Sequence, residues 1–246
     1  MLRARRVAVP DPAGSTNVDH GALQPVLDDL SSAGIQTLSS SRQKLTDYRD
    51  FLVEYSPDDM DAAGALAFWI NLYNAGALEA AGDAFDHDAG SVLRLPGAFS
   101  RTWATVGGEH LSLDDIEHGK IRRFGDPRIH SALVCGSVSC PTIRYEPFAG
   151  PTLDRQLNDQ MRKFLDLGGA RVDRSGNTIH LSRIFLWYGR DFTRPDTMPN
   201  MAPDAASRIR DTVAWWLGSA DRDFVWQSAP KVEYLPYDWG LACSIA

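Results

Sequence analysis

The chain has 246 residues, 43% of them hydrophobic and 23% charged, enough for one large domain that folds without disulfide or metal staples. Its formal net charge of -7 argues against a general nucleic-acid binder, which carries a basic field. No apolar run reaches the roughly 18 residues of a membrane helix, and the three cysteines, an odd number, do not form a secreted disulfide framework.

Residues 1–17, rich in Pro, Arg and Gly, read as a flexible lead-in, with one globular domain over 18–246. Arg3, Arg5 and Arg6 have no apolar stretch behind them, unlike a secretory signal, so a cytoplasmic location is expected. Helical spacing begins near His20, with Leu23, Val26, Leu27 and Leu30 on one face and Gly34 as a stop. A second helix runs from about Ser41 to Tyr55. A third, capped by Asp59 or Asp61, runs from Ala63 to Phe85 and is apolar around most of its circumference, as a buried central helix is. Asn71 and Asn74 interrupt that surface. Buried carboxamides must find partners, so these two serve either as ties to a loop or as a polar site wall.

The period then changes. Thr102–Val106 and Glu109–Leu111 flank Gly107-Gly108 as a hairpin. Ser112-Leu-Asp-Asp115 forms a capping box, predicting a helix from Leu113 that carries Ile116, Glu117, His118 and Ile121. Arg122, Arg123 and Arg128 form either a solvated helix end or a local basic pocket. Arg128–Cys135 is predicted as a buried strand. A helix follows from Thr152 to Gly168, then a hairpin of Ala170–Asp173 and Thr178–Leu181, a short helical segment after Ser182, a last helix over Pro203–Leu217 and a strand over Val232–Leu235. The fold class is α+β: a mostly helical front half with a buried central helix, packed on a small mixed or antiparallel sheet with hairpins.

Chemistry points to His130-Ser-Ala-Leu-Val-Cys-Gly-Ser-Val-Ser-Cys-Pro141. Loops at strand ends commonly hold active groups. With Pro141 opening a helix or turn, Cys140 sits near exposed amides that stabilise a thiolate, and the Ser139–Cys140 amides receive an oxyanion. His130 is the expected base, with His118 its rival and Glu117 or Asn71 orienting the ring. Cys135 reads as a core residue, and Cys243 as a bystander. Two further arrangements remain open: a Cys135–Cys140 redox pair, and zinc on His118, His130, Cys135 and Cys140, although no two of those ligands have a customary short spacing.

Three stretches together resemble the family known as domain of unknown function 547. They are Ala67-Phe-Trp-Ile-Asn-Leu-Tyr-Asn74, Leu111-Ser-Leu-Asp-Asp-Ile-Glu-His118 with Ile121-Arg122, and Asp126-Pro-Arg-Ile-His130 through Cys135 to Ser139-Cys-Pro141. Leu181-Ser182, Trp187-Tyr188, Asp191-Phe192 and Tyr237-Asp-Trp239 extend the resemblance over roughly residues 40–241. It implies a site built from Asn71, Tyr73, Asn74, Glu117, His118, His130, Cys135, Ser139 and Cys140, with Arg122 in support, and it extends to bacterial relatives. Gly240-Leu-Ala-Cys-Ser departs from the Ser-Leu-Asn that relatives carry after Asp-Trp. The order of elements is compatible with a papain- or transglutaminase-like arrangement, an analogy at fold level.

The expectation is a cysteine-dependent hydrolase or acyltransferase acting on an amide, peptide or thioester bond of a small-molecule or peptide substrate, with no metal and no cofactor. The alternative is a non-catalytic domain that binds a peptide or partner through Trp187, Tyr188, Trp215 and Trp216.

Overall fold

The computed structural model describes residues 5–6, 10–194, 197–198 and 201–245. Strand β1 (Arg5–Arg6) pairs antiparallel with residues 197–198. Residues 13–16, expected to be flexible, are tied down instead. Gly14 N–H donates to the Met60 carbonyl at 2.9 Å and Thr16 N–H to that of Asp59 at 2.9 Å.

Helices α1 (Gln24–Ala33), α2 (Thr37–Ser40) and α3 (Arg42–Leu52) follow. Gly34 ends α1 at φ 81°, a backbone state that side-chain-bearing residues avoid. These helices fold against α4 (Ala62–Asp86), capped by Asp61, whose Oδ1 accepts from Gly64 N–H at 2.6 Å. Every residue of α4 from Ala65 to Leu78 is buried, so the helix forms the axis of the first hydrophobic core. Each large side chain so covered contributes about 1.5–3 kcal/mol relative to exposure.

The hairpin joins β2 (Thr102–Val106) to β3 (Glu109–Ser112), with Gly107 and Gly108 both at positive φ, as a tight primed turn requires. Trp103 Nε1 donates to the Leu72 carbonyl at 3.2 Å, fixing the hairpin on α4. Beneath it Gly76 leaves no room: a Cβ there would lie 2.6 Å from Leu113 Cδ2 and 2.8 Å from the Trp103 ring. Gly76→Ala should therefore cost about 1–3 kcal/mol, read as a lower urea midpoint, because the ring and leucine must both yield.

The capping box forms as expected. Asp115 N–H donates to Ser112 Oγ at 3.1 Å, and Ser112 N–H donates to Asp115 Oδ2 at 3.0 Å. The helix it opens is overwound in places and loose in others, π-wound over Asp115–Lys120 and 3-10 over Ile121–Phe124. Arg128–Cys135 is not the predicted strand. Residues 129–132 make a single helical turn, α5 (Ile129–Ala132), and the next residues are extended without a sheet neighbour. Side chains satisfy this backbone in place of a strand: Asp126 Oδ1 accepts from Arg128 N–H at 2.9 Å, and Asn74 holds residues 132 and 134.

The second half runs through α6 (Leu153–Phe164), a π turn broken by Gly168 at φ 117°, and strands β4 (Ala170–Asp173) and β5 (Thr178–Leu181). Next come α7 (Arg183–Trp187), α8 (Gly189–Thr193), β6 (Thr197–Met198), α9 (Ala206–Val213), α10 (Ser219–Ser228) and β7 (Lys231–Tyr234). The predicted last helix ends early, at Val213 with one 3-10 turn behind it, and α10 is an addition. Strand β7 lies parallel to β5, giving the order β4-β5-β7. Side chains of this half form a second core around Phe185, Ile209 and Val213. The fold is α+β, and among the described residues no helix is long and apolar enough to cross a membrane.

Candidate functional site

The loop after α5 is placed by three sets of hydrogen bonds. Asn74, on the central helix, donates to the Ala132 carbonyl at 2.9 Å and accepts from Val134 N–H at 3.1 Å. Gly136 turns the chain at φ 70°, with Val92 and Ala81 so close that a Cβ would meet Val92 Cγ2 at 2.7 Å. Residues 238–244 brace the far side: Val138 N–H donates to the Gly240 carbonyl at 2.9 Å, Ser139 N–H to that of Asp238 at 3.2 Å, and Ile143 N–H to that of Ser244 at 2.8 Å. Asn74→Ala should strand two buried backbone groups and cost about 2–5 kcal/mol, checked by denaturant unfolding.

This path brings two thiols together. Cys140 Sγ accepts from the main-chain N–H of Cys135 at 2.8 Å. Cys135 Sγ lies 3.1 Å from Ser137 Oγ and 3.4 Å from the Tyr237 hydroxyl, which also hydrogen-bonds Ser137 Oγ at 3.1 Å. The Cys140 thiol, then Ser137 and Tyr237, overcome burial and pull the Cys135 thiol down to about 7. Burial, followed by the neighbouring Cys135, pushes Cys140 well up. Of two sulfurs in one site, the one with more donors takes the charge and the other keeps its proton. Burial likewise pushes Cys243 up to about 12.

The direction of these shifts favours Cys135 over Cys140 as the ionised sulfur. Pro141 opens no helix; the chain stays irregular until residue 150. The expected oxyanion donors are also taken, Ser139 N–H by the Asp238 carbonyl and Cys140 N–H by the Ser137 carbonyl at 3.0 Å. Ser139 Oγ accepts from Asp238 N–H at 2.9 Å and acts as a brace.

Asn71 does not orient a base. Its amide is spent on Phe148, donating to the carbonyl at 2.7 Å and accepting from the N–H at 3.0 Å. The group that anchors His130 is Asp191 on α8: His130 Nε2 donates to Asp191 Oδ2 at 2.8 Å. The imidazole is stacked on Tyr188 with centroids 4.0 Å apart. No described hydrogen bond engages its Nδ1. Arg122, expected at a solvated helix end or in a basic pocket, is 3% exposed. It grips Asp191 in bidentate fashion, Nε to Oδ2 at 2.7 Å and Nη2 to Oδ1 at 2.8 Å. Burial works to raise the Asp191 carboxyl, but bonds from His130 and Arg122 outweigh it and leave the acid below its ordinary range. Glu117 accepts from the Tyr188 hydroxyl and lies 3.7 Å from His118 Nδ1, which in turn is 3.3 Å from Arg122 Nη1.

A cavity of about 230 Å³ collects these groups. Its polar wall includes Tyr73, Glu117, His118, His130, Cys135 and Cys140. Its apolar wall includes Leu93, Phe99, Trp187, Met201 and Trp239. No described hydrogen bond engages the Tyr73 hydroxyl. Asn71, Asn74, Ser139 and Arg122 stand behind this surface. Asp191 and Tyr237 lie in motifs that carry the family resemblance but had no role assigned to them, and Ser137 had none either. Among the described residues, no three or more His, Cys, Asp or Glu side chains converge as metal ligands.

An α+β chain with paired thiols and an anchored imidazole in one cavity is the class that fold and site define. Residues 57–165 match the model of the family described as Protein of unknown function, DUF547, so that segment is similar to this family. The Trp187-Tyr188, Asp191-Phe192 and Tyr237-Asp-Trp239 motifs lie beyond the matched residues. No curated protein and no solved structure matches the chain.

Proposed function

We propose that the protein is a cysteine-dependent hydrolase or acyltransferase acting on an amide, peptide or thioester bond, with Cys135 as nucleophile. The observation that carries this reading is the pairing, in one cavity, of a sulfur hydrogen-bonded to two hydroxyls with an imidazole anchored by a carboxylate. That is the logic of a thiol–imidazole–acid site. Asp191 fixes the neutral His130 tautomer with its proton on Nε2, leaving Nδ1 to accept one.

In the first half-reaction the Cys135 proton passes to His130 Nδ1, the thiolate adds to the substrate carbonyl, and charge collects on oxygen, for which the Tyr73 hydroxyl of the cavity wall is the proposed donor. The C–N or C–S bond then breaks, and the leaving group takes a proton from His130. Water or an acceptor nucleophile gives a proton to His130 and attacks the thioester. The C–S bond to Cys135 breaks and the thiolate is restored. The apolar wall of Leu93, Phe99, Trp187, Met201 and Trp239 suits an apolar or aromatic acyl group of about side-chain size.

The test uses the p-nitrophenyl ester of 3-phenylpropionic acid. One equivalent of nitrophenolate should appear in a burst, and the acyl group should be found on the tryptic peptide Ile129–Arg144. His130→Ala should slow turnover of that adduct by about 100-fold or more. Absence of both burst and acylated peptide would remove the proposal.

A further inference from the structure

The loop that delivers Cys135 to the cavity doubles back on itself and delivers Cys140 beside it. Gly136 reverses the chain at positive φ, and the Ser137–Cys140 turn is closed by Cys140 N–H donating to the Ser137 carbonyl. As a result Cys140 Sγ sits 2.8 Å from the main-chain nitrogen of Cys135, and the two side chains bear on one another directly. Both sulfurs line the same cavity and both are free. An acyl-transfer reaction uses one sulfur; the protonated neighbour has no part in it.

We propose that Cys135 and Cys140 are a hydroperoxide-oxidisable dithiol, a second thiol chemistry of this cavity and a reversible lock on the first. It rests on the proposed function only in taking Cys135 as the ionised sulfur. The thiolate attacks the terminal peroxide oxygen and the O–O bond breaks. The alkoxide or hydroxide that departs takes up a proton, leaving Cys135 as a sulfenic acid. The Cys140 sulfur then attacks Cys135 Sγ. The S–O bond breaks, and hydroxide leaves with the Cys140 proton as water. Two thiols have lost two electrons to one peroxide, and an external thiol returns them by exchange. The apolar wall favours an organic hydroperoxide over hydrogen peroxide.

Cys243 is the competing partner, since it lines a small recess together with Cys140. Trypsin separates the cases, because Ile129–Arg144 contains Cys135 and Cys140 and no other cysteine. The native protein is treated with cumene hydroperoxide, blocked with N-ethylmaleimide and digested. Ile129–Arg144 should lose two hydrogens, resist alkylation and regain both thiols after dithiothreitol, at a rate at least about tenfold above oxidation of Cys243. Cys140→Ser should leave a dimedone-trapped sulfenic acid on Cys135, and Cys135→Ser should give no dimedone adduct. Direct passage of wild-type Cys135 to the sulfinic acid, or a link from this peptide to that of Cys243, overturns the proposal. An ester burst without the disulfide removes only this inference; a disulfide without the burst removes only the acyl-transfer reading.

Discussion

Cys135→Ser should abolish the fast-reacting thiol of the native protein, lowering iodoacetamide labelling at pH 7 by more than about tenfold, whereas Cys140→Ser should retain it. The asymmetry follows from the donors. Cys135 has Cys140, Ser137 and Tyr237 around its sulfur, and its thiol is pulled down to about 7, so near neutrality roughly half of it is ionised. Cys140 loses to burial and to its neighbour. The labelling rate of the wild type should rise with pH through a midpoint near 7. Tyr237→Phe removes one donor and should move that midpoint upward without removing the reactive residue. A silent Cys140→Ser beside a reactive Cys135→Ser would reverse the assignment.

Asp191→Ala should cost about 3–5 kcal/mol, because it removes the bidentate carboxylate from a buried guanidinium. Arg122 is 3% exposed and bonds both carboxylate oxygens, while His130 takes one of them as well. Urea unfolding measures the loss. The same carboxyl gives a pH signature whose sign is fixed. Its folded pKa lies below the ordinary carboxylate value, so its contribution is complete above about 3.9 and is lost as pH falls through the folded value. Asp191→Asn should flatten this acid limb of stability and, by loosening the ring, slow deacylation. A variant as stable as the wild type with an unchanged acid limb would show that Arg122 and His130 are held by other groups.

Much of the frame was legible because local patterns and tertiary packing agree. The all-round apolar surface of Ala63–Phe85 has one outlet, burial, and α4 is the axis of the first core. Gly107-Gly108 and the Ser112–Asp115 box dictate their turns through positive φ and through unpaired amides. The failures share a cause, too. Arg128–Cys135 has strand composition, but its backbone closes a helical turn on itself and then bonds to side chains, that of Asp126 at Arg128 and that of Asn74, 60 residues away, at Val134. Cys140 looked activated because Pro141 suggested a helix start. The Cys135 thiol is lowered first by Cys140, then by Ser137 and by Tyr237, and the last of these, 102 residues downstream, is reported by no local pattern. Asp191 and Tyr237 lie inside the motifs that carry the resemblance, but the burial of Arg122, which demands a carboxylate, is visible only in the fold.

The matched family segment ends at residue 165, while the carboxylate behind His130, the ring stacked on it and the phenol beside Cys135 all come from later in the chain. The matched stretch therefore holds the sulfur, the imidazole and two of the sulfur's partners, Ser137 and Cys140, but neither Tyr237 nor Asp191. Two proteins sharing only residues 57–165 of this layout can differ in whether the ring is held still or the sulfur ionised, and their reactivities would diverge without a single change in the shared segment.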